Sequence, residues 1–267
     1  MKRLNRRQFV QAATAASLGV ALSPAGLSAP AFASREQADA AFGGLLKRYV
    51  VRGGDGVNRV RYADWQASGH GDLKAYIGSL QAMRPSAMPR TAEMAYWINL
   101  YNATTLDVVL DYYPVRSIRD IDLGGGLFGS GPWKAGLVTV EGRTLSLDRI
   151  EHDILRARFS EPLVHYALNC ASVGCPDLQV RPWSAGTLPD QFGAGARAYV
   201  NHPRGLAIEE RRLRASKIYS WYADDFGGRP GLKEHWQAYA DPQLAARLAR
   251  FARPQSYFYD WTLNDAG

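Results

Sequence analysis

The chain has 267 residues, with 32 Lys and Arg against 25 Asp and Glu for a net charge of +7. A hydrophobic content of 46% suits a packed globular domain and excludes a disordered or fibrous chain. Four of the cations, Lys2, Arg3, Arg6 and Arg7, lie in an acid-free stretch before residue 34, so the rest is only +3 and charge gives no argument for nucleic acid.

Residues 1–33 read as a signal peptide. A basic start, a small and mildly apolar centre and Ala31-Phe32-Ala33 fit a secretory leader with an A-x-A cleavage site. Arg6-Arg7 followed by Gln8-Phe9-Val10 is similar to a twin-arginine export signal. The apolar centre is shorter than the ~20 residues a bilayer span needs, so the mature chain is expected to be unanchored and periplasmic. Residues 34–267 form one expected domain, with no internal repeat and no second hydrophobic span.

A first helix is predicted over residues 36–50. A short strand-like piece "VNRVRYADW" and an amphipathic helix "DLKAYIGSLQAM" follow. Residues 91–114 predict a long helix stopped by Pro114. At 100° per residue, Glu93, Thr104, Asp107 and Asp111 form its expected solvent face. Asn99, Asn102 and Thr105 fall among Ala95, Ile98, Leu106 and Val109 on the buried side, where amides need partners. "LGGGLFGSGPWKAG", residues 123–136, lacks the order of a phosphate loop and reads as a binding loop or flap. "LVTVEG" reads as a strand.

"SLDRIEHDILRAR" predicts a helix capped by Ser146. Glu151 points into its apolar face of Leu147, Ile150, Ile154 and Leu155, with His152 at the edge. A carboxylate there needs a partner, for which His165, Arg156 or the Asn99 and Asn102 amides are candidates. "EPLVHYALN" reads as an interior strand, which sets His165 and Cys170 on opposite faces unless the strand breaks at Asn169. Beyond the cysteines come a helix near 187–201, two short strands over 205–214, a glycine-closed helix "SKIYSWYADDFGG", helices near 230–252 and an edge strand in "SYFYDWTLN". Trp221, Tyr222, Tyr257, Tyr259 and Trp261 are expected to pack in the core and on that edge. His70, His202 and His235 sit in loop-like or exposed contexts. The fold class is α+β: a mainly helical single domain around a small sheet.

Cys170 and Cys175 are the two cysteines of the chain. An oxidising compartment favours a disulfide. A nucleophilic Cys170 activated by a histidine is the catalytic alternative. A zinc site with His165 is disfavoured, because the C-x4-C spacing matches no compact zinc motif. Thiol–disulfide exchange is disfavoured because the C-x-x-C arrangement is missing. No cofactor or metal is expected.

"AYWINLYNATTLDVVL" at 95–110, "LDRIEHDILR" at 147–156, "HYALNCASVGCPDL" at 165–178 and "YDWTLN" at 259–264 together resemble the DUF547 family, over roughly residue 93 to the C-terminus. The resemblance implies a domain without an assigned mechanism, found in bacteria, plants and animals. A second analogy, to papain- and transglutaminase-like cysteine hydrolases, rests on element order alone. In those folds the nucleophilic cysteine opens the long helix, and here that helix carries Asn99 and Asn102 instead.

Two functions follow as expectations. One is a cysteine- and histidine-dependent hydrolase or acyltransferase acting on peptide-like bonds of the cell envelope. Its nucleophile is Cys170, its base His165 or His152, its orienting group Glu151, and its oxyanion donor Asn102 or Asn99. The other is a non-catalytic periplasmic module that binds an envelope peptide or protein, with Cys170 and Cys175 in a structural disulfide.

Overall fold

The computed structural model of the protein describes residue 32, residues 34–124 and residues 131–267. Residues 1–31 and 33, on which the expected signal peptide falls, and residues 125–130 of the glycine-rich stretch lie outside the described residues.

Helix α1 (Arg35–Tyr49) starts at Ser34, whose hydroxyl accepts the Gln37 N–H, and buries Phe42, Leu45, Leu46 and Tyr49. Strands β1 (Val50–Arg52) and β2 (Asn58–Val60) form a hairpin. Helices α2 (Tyr62–Ser68) and α3 (His70–Gln81) then pack with α1 against α4 (Arg90–Tyr112), the axis of the fold. Hairpin β3 (Val138–Val140) and β4 (Arg143–Leu145) leads into a helix that is wound as a π-helix over Arg149–Phe159. A 3₁₀ turn (Pro162–Tyr166) and the cysteine loop follow. Helix α5 (Leu188–Val200), strands β5 (Leu206–Glu209) and β6 (Arg212–Ser216), and helices α6 (Ile218–Trp221), α7 (Gly228–Tyr239) and α8 (Pro242–Leu248) complete the helical part. Strand β7 (Ser256–Phe258) joins the free side of β6 in parallel, so the expected edge strand occupies the first residues of its segment. The α+β class holds, with three separate small sheets among the described residues in place of one.

Two apolar clusters divide the interior. The larger surrounds α4 with α1–α3, β3, β4 and the π-helix. The smaller joins α5, β5, β6, α6, α7 and α8 through Tyr199, Tyr219, Phe226 and Trp236. Leu163 of the 3₁₀ turn touches both.

Three expectations about elements are corrected. Helix α4 has no solvent face along most of its length: of the four residues expected there, Glu93 and Thr104 are buried and Asp107 and Asp111 reach the surface. Elements pack on several sides of it, and Glu93 is tolerated inside because Arg158 lies 2.8 Å away and the Trp97 indole donates to it. The predicted His165 strand is a 3₁₀ turn, because Pro162 starts a helical turn and the Glu161 carboxylate accepts the Leu163 N–H. The strand alternation that separated His165 from Cys170 therefore does not apply, and the His-bearing strand of the papain-like analogy is missing. His70 and His235 are not loop residues: His70 opens α3 and meets Asp107 at 2.7 Å, and His235 in α7 meets the Tyr166 hydroxyl at 2.6 Å.

Candidate functional site

A cleft of about 420 Å³ opens where the π-helix, the cysteine loop, α6 and the C-terminal segment converge. Its lining includes Glu151, His152, His165, Cys170 and Cys175. The sequence reading had gathered these residues as candidates, and the fold brings them to one place.

Glu151 is buried at 8% exposure, as its place on the apolar face predicted. Its partners are the hydroxyls of Tyr101, at 3.1 Å from Oε2, and Tyr222, at 2.6 Å from Oε1. The histidine, arginine and asparagine partners expected from sequence are all engaged elsewhere. A π-helix is wider than an α-helix, is rare at this length and is frequent at functional sites, and this one carries Glu151, His152 and Arg156.

Arg156 Nη1 lies 3.0 Å from His152 Nδ1. A guanidinium has only donors, so Nδ1 is the acceptor in this contact and Nε2 is the ring nitrogen left to donate. Arg156 also holds Asp225 through Nε at 2.6 Å and Nη2 at 2.9 Å. His165, 4% exposed, places Nε2 at 2.7 Å from the same carboxylate. The His165 hydrogen bond, followed by Arg156, holds the Asp225 carboxyl well below the usual carboxylate range. The Tyr222 ring lies between these groups, stacked on His165 at a centroid distance of 4.0 Å, with the Arg156 guanidinium 4.9 Å above its ring.

The cysteine loop is held from several sides. Asn102 donates to the Ala167 carbonyl at 2.8 Å and accepts the Asn169 N–H at 2.8 Å. Asn169 in turn donates to the Pro176 carbonyl and accepts the Ala171 N–H. The C-terminal segment pairs with the loop through Val173 N–H to Thr262 O, Gly174 N–H to Asp260 O and Asn264 N–H to Ala171 O. Gly174 is required there, because a Cβ would stand 2.7 Å from the Asp260 nitrogen. Asn99 makes the corresponding paired contacts to Trp183, at 2.9 Å in each direction. Asn99 and Asn102 each donate from Nδ2 to a backbone carbonyl, and neither is among the residues that line the cleft.

Cys170 and Cys175 are free thiols with their sulfurs 3.0 Å apart, so the disulfide expected as one alternative is not formed here. Cys170 Sγ lies 3.0 Å from the Tyr259 hydroxyl and 3.4 Å from that of Ser172. The Cys175 thiol, then the Ser172 and Tyr259 hydroxyls, lower the Cys170 pKa below that of an ordinary thiol despite burial. Burial raises that of Cys175 well above it. Cys170 is the half-buried member of the pair and faces the cleft. No histidine lies within hydrogen-bond distance of it, because His165 is turned to Asp225 and His152 to Arg156.

Sequence reasoning missed Tyr101, Asp225, Arg119, Lys217 and Trp133, and placed Trp221, Tyr259 and Trp261 in the core and edge packing. All but Asp225 line the cleft. The one signal for the C-terminal group was the motif "YDWTLN", which contains both Tyr259 and Trp261.

Fold and site together describe an α+β protein whose central helix, π-helix and cysteine loop frame a thiol-bearing cleft. Residues 85–200 match the model of the family described as Protein of unknown function, DUF547, and the resemblance seen in the first three motifs is borne out over that segment. The matched segment spans α4, the π-helix, the cysteine loop and α5. It ends before α6 and the C-terminal segment, which supply the other wall of the cleft. No curated protein and no solved structure matches the chain.

Proposed function

We propose that the protein is an exported, periplasmic thiol-dependent hydrolase or acyltransferase acting on peptide-like bonds, with Cys170 as nucleophile. The observation that carries this reading is the environment of Cys170: a half-buried thiol in a cleft, with three hydrogen-bonding neighbours and a lowered pKa. A thiolate held this way needs no adjacent histidine to form. It attacks the acyl carbon, and the carbonyl π electrons move to oxygen. Collapse of that adduct expels the leaving group, which accepts a hydrogen bond from His152 Nε2–H and takes its proton from solvent water. Water or a second acceptor then releases the acyl group from sulfur. Glu151 holds the Tyr101 and Tyr222 hydroxyls in place. Asp225 and Arg156 orient His165 and His152. Export rests on the leader read from residues 1–33.

Turnover of a generic acyl donor such as p-nitrophenyl acetate tests the assignment. Cys170→Ser should lower the rate about a hundredfold or more, and His152→Ala about tenfold or more. Equal rates for wild type and Cys170→Ser remove the nucleophile.

A second reading is favoured by the 3.0 Å approach of the two sulfurs. In an oxidising compartment the pair closes with little movement, and the protein is then a binding module for an envelope peptide or protein. Intact-mass measurement after alkylation of the exported protein, native and denatured without reductant, separates the two. No label in either state identifies the disulfide. Rapid labelling of one cysteine below neutral pH identifies the thiolate.

A further inference from the structure

Beyond the thiol, the cleft has a wall of rings that the proposed chemistry uses only at the Tyr259 hydroxyl. Trp221, Tyr259, Trp261 and Trp133 form one continuous group of rings, with centroids 5.0 Å apart for Trp221–Tyr259, 4.7 Å for Tyr259–Trp261 and 5.7 Å for Trp133–Trp261. Trp221 is 46% exposed, and none of the four is fully buried. Rings held open to water along a cleft are poor core and a good surface for a flat or apolar group. The wall runs directly to the sulfur, because the Tyr259 hydroxyl contacts Cys170 Sγ at 3.0 Å.

Two exposed cations line the same cleft, Arg119 and Lys217. Neither side chain has an ion-pair or hydrogen-bond partner among the described residues. The Arg119 guanidinium lies over the Trp261 ring at 5.3 Å, a contact that leaves its N–H groups available to an acceptor. Its loop is tied to the same segment by Ser117 Oγ, which donates to the Trp261 carbonyl at 2.7 Å.

We infer that the aromatic wall with Arg119 and Lys217 forms a subsite for a carboxylate-bearing peptide-type ligand, whose carboxylate meets the two cations and whose neighbouring apolar side chain lies on Trp221 and Trp261. This names a substrate class for the proposed acyl chemistry and rests on the ligand occupying that cleft. A free carboxylate near an aromatic side chain is the feature selected, because a guanidinium on a ring pairs with a planar anion and the adjoining rings accept an apolar face. The corresponding amide offers the same apolar face and no charge.

The test uses the Cys170→Ser protein, so that nothing turns over, and the probes N-acetyl-phenylalanine and N-acetyl-phenylalaninamide, with binding read by quenching of tryptophan fluorescence. The acid should bind about tenfold more tightly than the amide, as expected for a charge-assisted contact. The double variant Arg119→Gln/Lys217→Gln should abolish that preference and keep amide binding. Trp221→Ala should weaken both probes alike. The two cations are exposed, and an unchanged thermal melt of the double variant shows that it folds. Equal binding of acid and amide, an unchanged preference in the double variant, or no binding of either probe at about 10 mM overturns the inference. The outcome is separable from that of the nucleophile assignment. Loss of turnover in Cys170→Ser with equal acid and amide binding removes only the subsite. Unchanged turnover in Cys170→Ser with a persistent acid preference removes only the nucleophile.

Discussion

His165 presents Nε2 to Asp225 at 2.7 Å and does not reach Cys170. A Cys–His pair read from their closeness in sequence is thereby replaced by a buried imidazole bound to a carboxylate 60 residues downstream. That carboxylate also anchors Arg156, and through it His152.

Asp225→Asn should destabilise the fold by about 2 kcal/mol, because it strips the charge partner from the buried His165 and weakens the hold on Arg156. The Asp225 carboxyl is depressed in the folded state by His165 first and Arg156 next. Its contribution is therefore complete above the unfolded carboxylate value of about 4 and is lost as pH falls below it. Urea denaturation of wild type and variant at neutral pH and again near pH 3 checks this. A gap that does not narrow on acidification speaks against it.

Cys170 should alkylate with a midpoint below that of a free thiol, since the Cys175 thiol, Ser172 and Tyr259 all stabilise its anion. Cys175→Ala removes the largest of these contributions and should move the midpoint up. Tyr259→Phe should move it by a smaller amount in the same direction. Iodoacetamide rate–pH profiles on reduced protein would refute the assignment if all three midpoints coincide.

Asn102→Ala should cost about 2–3 kcal/mol, because it leaves the buried Asn169 N–H and Ala167 carbonyl unpaired. Asn99→Ala should cost a similar amount through the Trp183 backbone. Both variants should lose stability more than they lose affinity for a bound acyl analogue, and parallel melts and titrations read the two effects apart.

Burial lowers the His235 pKa to about 4 from an ordinary 6.5, so the neutral ring is the folded form. Its neutral state stabilises the fold fully above pH 6.5, and that advantage shrinks steadily as pH falls toward 4. The wild type should lose up to about 3 kcal/mol over that window relative to His235→Phe. Denaturation midpoints taken across it should converge, and parallel curves would refute the assignment.

Gly174→Ala should loosen the cysteine loop, since the new Cβ meets the Asp260 backbone at 2.7 Å from nitrogen and 2.8 Å from oxygen. Faster hydrogen exchange at the Gly174 and Asn264 amides, with α1–α3 unchanged, is the expected signature.

Periodicity alone located α4 to within a residue or two at each end and put Asn99 and Asn102 in the interior. The same wheel failed for Glu93 and Thr104, because it sees one face of a helix and cannot know that neighbours surround it. The apolar run at 162–168 matched a strand as well as it matched a turn. Pro162 and the Glu161 cap decided for the turn.

The amino-acid sequence by itself determined the α+β class, the helical axis of the fold, the buried state of Glu151 and the closeness of the two cysteines. Those properties follow from local spacing and from side-chain polarity, which act within a few residues. Tertiary structure alone decided that Glu151 binds Tyr101 and Tyr222, that His165 turns to Asp225, and that Trp221, Tyr259 and Trp261 wall the cleft. Each of these contacts joins groups far apart in the chain. A buried polar atom takes whichever partner the folded backbone carries within about 3 Å of it, and no pattern of spacing encodes that distance.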